Sequence, residues 1–165
     1  MNLADFTSPE LIIPGLSGAD AASSIQELSQ ALQREKRIPD LLPFYQAALN
    51  REFMVSTDTE AGMAFPHARL PGLKDVSFAL GRSDKPLGWG TRGIRTVRLV
   101  FLLAVPATDS TQYLPLIAGL ARLAKNKQLV ENLQMVGGAR EMLDVLKQVE
   151  LRTSSPSCSL SKVSA

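Results

Sequence analysis

One histidine, one cysteine and one tryptophan are found among 165 residues, and each scarcity removes a kind of chemistry. The lone thiol, Cys158, has no internal partner for a disulfide and cannot build a cysteine-based zinc site; unpaired, it suits a reducing cytoplasm. One imidazole cannot supply the usual histidine pair of a metal centre, so no metal and no cofactor is expected. Aromatic residues make up 5% of the chain and the formal charge is only +2. There is neither a basic stripe nor a stacking platform, which argues against nucleic acid as a partner. The longest apolar run, from Leu99 to Val105, is too short to span a bilayer, and Met1 to Phe6 has neither the basic nor the apolar region of a signal peptide. No Gly-x-Ser-x-Gly is present, so a nucleophile-elbow hydrolase lacks its serine.

What is there is globular. Hydrophobic residues make up 45% and charged residues 21%, the composition of a chain that buries a core. The expected organisation is one domain over residues 1–151 and a disordered Ser-rich tail over 152–165. Ser24-Ile25-Gln26-Glu27 has the form of a capping box, and Ile25, Leu28 and Leu32 repeat at helical spacing, which predicts a first helix reaching Arg37. After Pro39 and Asp40 a second helix carries Pro43 in its first turn, continues through Phe44, Ala47, Ala48 and Glu52, and ends near Phe53. Pro71-Gly72 marks a turn. Val76, Phe78 and Leu80 alternate as in a strand with one buried face, and Val97 to Val105 reads as a central strand covered on both faces. Asp109 or Ser110 caps a third helix with an apolar stripe of Tyr113, Leu116, Ile117, Leu120, Leu123 and Ala124. Lys125-Asn126-Lys127 reads as its solvated end. Two shorter helices, Gln128 to Met135 and Arg140 to Glu150, are separated by Gly137-Gly138. A sheet with helices on each side is the implied fold.

The only reactive centre of note is His67, placed by the sequence on a Pro- and Gly-bounded loop. Imidazole keeps a nucleophilic nitrogen near neutral pH while its other nitrogen is held by a carbonyl or carboxylate, so it can accept a phosphoryl group and release it again. Such transfer needs cations, and Arg51, Arg69 and Lys74 are the nearby candidates. Pro66 restricts Phe65 to extended backbone, which preorganises the ring. Gly88-Trp89-Gly90-Thr91-Arg92-Gly93 matches the dinucleotide fingerprint in letters, but a strand rather than a helix follows it, so it reads as a tight β-connection with Trp89 packed over the sheet.

Gly62-Met63-Ala64-Phe65-Pro66-His67, with the upstream Arg51-Glu52 and Ser56-Thr57, resembles the active segment of the type-2 enzyme IIA proteins of the bacterial phosphotransferase system, the fructose/mannitol family with its nitrogen-regulatory members. The likeness continues through Leu87-Gly88-Trp89-Gly90, through the segment from Val97 to Pro106 and into the helix near Thr111, and spans roughly residues 5 to 150. It implies an α/β single-domain sandwich with a mixed β-sheet flanked by helices on both faces. It implies that His67 accepts a phosphoryl group from a phosphorylated HPr-like carrier protein and passes it to a cysteine of an enzyme IIB, or holds it as a regulatory signal. By the same match Arg51 stabilises charge at the phosphorylated imidazole, and Arg69 is a second candidate. Many relatives have a second histidine where Tyr113 stands here. A tyrosine hydroxyl can donate to a phosphate oxygen but cannot become a cation at neutral pH, and an aromatic of the helix stripe is the other reading of the residue. Beside the carrier stand two rivals: a nitrogen-regulatory interaction module switched by phosphorylation, and a degenerate binding protein that keeps only the fold.

Overall fold

Strand β5, Arg95–Pro106, organises the rest of the molecule. In the computed structural model, which describes residues 1–90, 95–108 and 111–152, Leu99, Phe101, Leu103 and Val105 are fully buried in one cluster. Val100, Leu102 and Ala104 are fully buried in another. Side chains alternate across a strand, so a continuous apolar run buries both faces only if each face has its own cover. The expected helix caps Asp109 and Ser110, residues 91–93 of the glycine-rich segment, and residues 153–165 with Cys158 lie outside the described residues.

On one side of β5 runs β4, Ser77–Trp89, antiparallel, with its register broken between Arg82 and Leu87; β1, Ile12–Ile13, is parallel to β4 beyond it. On the other side β2, Met63–Ala64, and β3, His67–Leu70, succeed one another, both parallel to β5. The sheet is therefore mixed. β4 departs from the expected single buried face: Phe78 and Leu80 face one core cluster and Ala79 the other, because helices cover this strand from both sides as well.

Helix α1, Ala21–Arg34, starts earlier than the Ser24 box predicts. Asp20 is the cap: its carboxylate accepts the Ser23 N–H at 2.8 Å while Ser23 Oγ accepts the Asp20 N–H at 3.3 Å, so both orphan donors are satisfied reciprocally. Ser24 instead donates its hydroxyl to the Asp20 carbonyl at 2.8 Å, and Glu27 receives the Ser17 N–H at 2.9 Å. The helix also stops short of Arg37. Lys36 N–H donates to the Gln33 carbonyl at 2.9 Å and Arg37 N–H to the Leu32 carbonyl at 2.8 Å, the Schellman pair, which places Lys36 at φ 58°, where glycine is the usual residue. Helix α2, Leu41–Met54, begins after Asp40 with Pro43 in its first turn, as expected.

Three helices cover the opposite face: α3, Tyr113–Lys125, α4, Lys127–Met135, and α5, Ala139–Leu146. Lys125-Asn126-Lys127 is the exposed end of α3, as expected, and also a junction: Asn126 closes α3 and caps α4, accepting the Leu129 N–H at 3.2 Å. α5 ends at Leu146, short of the predicted Glu150, since the chain turns there to meet its own beginning: Leu3 N–H donates to the Val149 carbonyl at 3.1 Å and Leu151 N–H to the Met1 carbonyl at 2.9 Å. Gly119 of α3 makes room for that meeting; a Cβ there would run into Leu151 and come within 3.2 Å of Leu3.

Leu28, Leu32 and Phe44 of α1 and α2 pack on one face of the sheet, and Leu116, Leu120 and Leu133 of α3 and α4 on the other. Phe101 is the pivot near the site, its ring 5.6 Å from that of Phe78 and 5.5 Å from that of Phe65. Truncating it to alanine costs about 3–5 kcal/mol and removes the surface on which Phe65 rests. No described helix is long and apolar enough to cross a membrane.

Candidate functional site

The edge beside β5 is interrupted at Phe65-Pro66, and the interruption places the histidine. Proline has no N–H for a ladder, so Pro66 contributes only its carbonyl, which accepts the Leu103 N–H at 2.9 Å. Pairing resumes at once with His67 opposite Leu103. His67 is therefore the first residue of β3 rather than a loop residue, a correction that follows from pairing with a strand far along the chain. Period-two alternation then sorts the neighbours. Met63 and Phe65 belong with the core under α3, Ala64 and Ala68 with the core under α1 and α2.

His67 falls in the first set, half-buried, with Arg69 two residues on. The Arg69 guanidinium carbon lies 4.7 Å from the centre of the Tyr113 ring, and that ring is 6.2 Å from the His67 imidazole. The structure thus brings together His67, Arg69 and Tyr113. Arg51 sits exposed in the last turn of α2, and no hydrogen bond joins it to His67 among the described residues. Lys74 is removed from the group: past the Pro71-Gly72 turn it lines a separate cavity of 350 Å³ with Lys36 and Arg37.

His67 Nδ1 is 3.2 Å from the Phe65 carbonyl oxygen. A carbonyl only accepts, so Nδ1 carries the proton and the lone pair is left on Nε2. Behind this contact stands Glu52, which belongs to the segment that carries the resemblance but to which the sequence assigns no role. Glu52 is 7% exposed; it accepts the indole N–H of Trp89 at 2.7 Å, the Thr57 N–H at 2.8 Å and the Thr57 hydroxyl at 2.9 Å. Thr57 Oγ1 in turn accepts the Phe65 N–H at 2.8 Å. The signal for Glu52 was legible: it continues the buried Phe44, Ala48 stripe of α2 at four-residue spacing, and a carboxylate on an apolar stripe needs a polar reason. Trp89 packs under the helices as expected and adds this one donation.

Beside the imidazole opens a cavity of 570 Å³ lined by Phe65, His67, Ile117, Leu120, Ala124 and Lys125. At the end of α2 three consecutive apolar residues, Phe53, Met54 and Val55, are 63%, 78% and 57% exposed, an apolar strip open to solvent. Among the described residues no group of three histidine, cysteine or acidic side chains could hold a metal.

Solved structures share the architecture. The crystal structure of the nitrogen regulatory protein IIA-Ntr from Neisseria meningitidis matches with a TM-score of 0.73 at 26% identity, over 87% of this chain and 98% of that one. IIA mannitol from Escherichia coli has the same fold, with a TM-score of 0.72 at 19% identity over 84% and 97%. The three-layer arrangement with its interrupted edge strand is thus the enzyme IIA fold. Residues 5–149 match the family described as phosphoenolpyruvate-dependent sugar phosphotransferase system, EIIA 2, and the chain belongs to that family of phosphocarriers. A nitrogen regulatory protein of Bradyrhizobium diazoefficiens is 29% identical over 146 residues, 88% of this chain and 95% of the relative. The 2-O-alpha-mannosyl-D-glycerate-specific EIIABC component of Escherichia coli is 26% identical over 148 residues, 88% of this chain but only 22% of that longer protein.

Proposed function

We propose that the chain is a phosphohistidine carrier in which Nε2 of His67 is the acceptor. The observation that carries this reading is the Nδ1 contact to the Phe65 carbonyl, which leaves a nucleophilic lone pair on Nε2 on the face shared with Arg69. Nε2 attacks the phosphorus of a phosphorylated HPr-like protein; the new N–P bond forms as the donor's bond to phosphorus breaks, and that electron pair returns to the donor. Positive charge on the phosphorylated ring makes it a good leaving group for the next acceptor, a cysteine of an enzyme IIB. Arg69, braced on Tyr113, offsets the charge of the moving phosphoryl, and Arg51 joins from the end of α2 when a partner closes over the site. The exposed Phe53-Met54-Val55 strip beside Arg51 supplies apolar surface for that partner.

A second reading is favoured by the nearly full-length match to a nitrogen regulatory protein: the phosphorylated and free forms of His67 differ in charge on the docking face, and a regulatory target distinguishes them with no sugar involved. Both readings require the same first step. Incubation with phosphoenolpyruvate, enzyme I and HPr, or the nitrogen-branch counterpart of each, tests it by intact mass. The wild type gains one acid-labile phosphoryl group and His67→Ala gains none; no adduct from any donor leaves a binding protein that keeps the fold without the reaction.

A further inference from the structure

We propose that Glu52 and Thr57 are positioning residues that set the tautomer of His67, acting through the backbone of Phe65. The tautomer argument stands on geometry alone; its consequence for transfer rate rests on the phosphocarrier reading.

A carboxylate is acceptor-only, and this fixes the direction of every bond that follows. Glu52 receives the Trp89 indole N–H at 2.7 Å and the Thr57 N–H at 2.8 Å, both on Oε1. The Thr57 hydroxyl lies 3.0 Å and 2.9 Å from the two carboxylate oxygens, so it must donate its single proton to Glu52. Its lone pairs are thereby turned toward the Phe65 N–H at 2.8 Å. Phe65 is then held on three sides: by that bond, by its ring 5.5 Å from Phe101, and by the following carbonyl of Pro66, which accepts from Leu103 at 2.9 Å. The one group of Phe65 left to face the imidazole is its carbonyl, 3.2 Å from Nδ1.

An unconstrained neutral imidazole favours the proton on Nε2, the tautomer in which Nε2 is not a nucleophile. A carbonyl held in register with Nδ1 reverses that preference. Among the described residues the donors to Glu52 are all neutral; a buried carboxylate so placed is an expensive way to close a turn, and an apolar side chain continuing the Phe44, Ala48 stripe would pack α2 more simply. Its use here is directional: neither an amide nor a hydroxyl at this position would dictate where the Thr57 proton points.

The test is the nitrogen-15 spectrum of the His67 ring in the whole chain, a single-histidine signal needing no assignment. In the wild type the Nδ1–H tautomer dominates. Thr57→Val, which removes the hydroxyl at nearly constant volume, moves the population toward Nε2–H, and Thr57→Ser restores it. With a phosphorylated HPr-type donor, Thr57→Val lowers the maximal transfer rate by about tenfold, the scale on which removing groups that orient a functional histidine acts, while the KM for the donor stays within about twofold. An unchanged tautomer in folded Thr57→Val, or a serine variant that behaves like valine, overturns the proposal. Should the valine variant fail to fold, Glu52→Gln carries the test, because its single acceptor oxygen and its amide donor release the hydroxyl from its fixed direction; the Nε2–H population then rises, and no change overturns the relay. A tautomer that moves as stated in a protein that accepts no phosphoryl group sinks the carrier reading and leaves the relay standing.

Discussion

The rings of His67 and Tyr113 lie 6.2 Å apart, centre to centre, and are tilted by 45°. On the same tyrosine ring rests the Arg69 guanidinium, 4.7 Å away. Tyr113 therefore does two things at once. It fills the end of the α3 stripe, half-buried against the core, and it offers a π face to the Arg69 guanidinium. A second histidine at this place would supply charge of its own; the tyrosine borrows charge by bracing an arginine.

On the carrier reading, the aromatic face of Tyr113 is expected to carry its effect and the hydroxyl to be dispensable. Tyr113→Phe keeps the phosphoryl-transfer rate within about twofold, whereas Tyr113→Leu lowers it by roughly two- to fivefold, the worth of an exposed cation–π contact of about 0.5–1 kcal/mol. Transfer kinetics of the two variants decide the matter. A Phe variant as slow as the Leu variant returns the role to the hydroxyl.

On the carrier reading, Arg51 is expected to matter to the transfer and not to the fold. Its exposed side chain makes no ion pair among the described residues, so Arg51→Ala leaves the melting temperature within about 1–2 °C, since surface changes of this kind stay within about ±0.5 kcal/mol. Removing a charge-assisted contact worth about 1.5–3 kcal/mol lowers transfer by tenfold or more. Equal rates in Arg51→Ala and wild type would reassign the whole charge-balancing role to Arg69.

Lys36 is a strained cap. At φ 58° a lysine bears the crowding of its Cβ against the following carbonyl, which glycine escapes. Lys36→Gly stabilises the protein by about 1 kcal/mol and raises the melting temperature by about 2–4 °C. Thermal denaturation of the two proteins measures it; a loss of stability would mean that the lysine's attraction to the C-terminal end of α1 outweighs the strain.

The Asp20 cap makes the start of α1 sensitive to acid. The Ser23 hydroxyl and then the Ser23 N–H, both bonded to its carboxylate, hold the Asp20 pKa below its ordinary 3.8. A lowered folded-state value means that the unfolded chain binds the proton first, so the stabilisation is complete above the ordinary value and is lost as pH falls through the lowered one. Asp20→Ala costs about 1 kcal/mol near neutral pH, and urea titrations show that difference shrinking below about pH 4. A gap that stays constant into strong acid contradicts the assignment.

What could be read from the sequence was whatever depends on near neighbours or on strong periodicity. The apolar run of β5, the α3 stripe and the single imidazole before Arg69 each announce themselves in a short window. The start of α1 was misread because Ser24-x-x-Glu27 and the true Asp20–Ser23 cap both satisfy the same spacing, and only Ser17, which takes up Glu27, breaks the tie. His67 read as a loop residue because its strand exists only through pairing with Leu103. The Glu52–Trp89 bond joins residues 37 positions apart, beyond the reach of any local motif. Lys74 looked close in sequence, yet the turn at Pro71-Gly72 carries it into another cavity.

The most direct test of the account is to find which ring nitrogen carries the phosphoryl group, by proton–nitrogen correlation on nitrogen-15-labelled protein phosphorylated through phosphoenolpyruvate, enzyme I and an HPr-type donor. The carrier reading predicts phosphorus on Nε2 of His67 with Nδ1 still protonated against the Phe65 carbonyl, 3.2 Å away. Phosphorus on Nδ1, on another residue, or nowhere in the chain would contradict it.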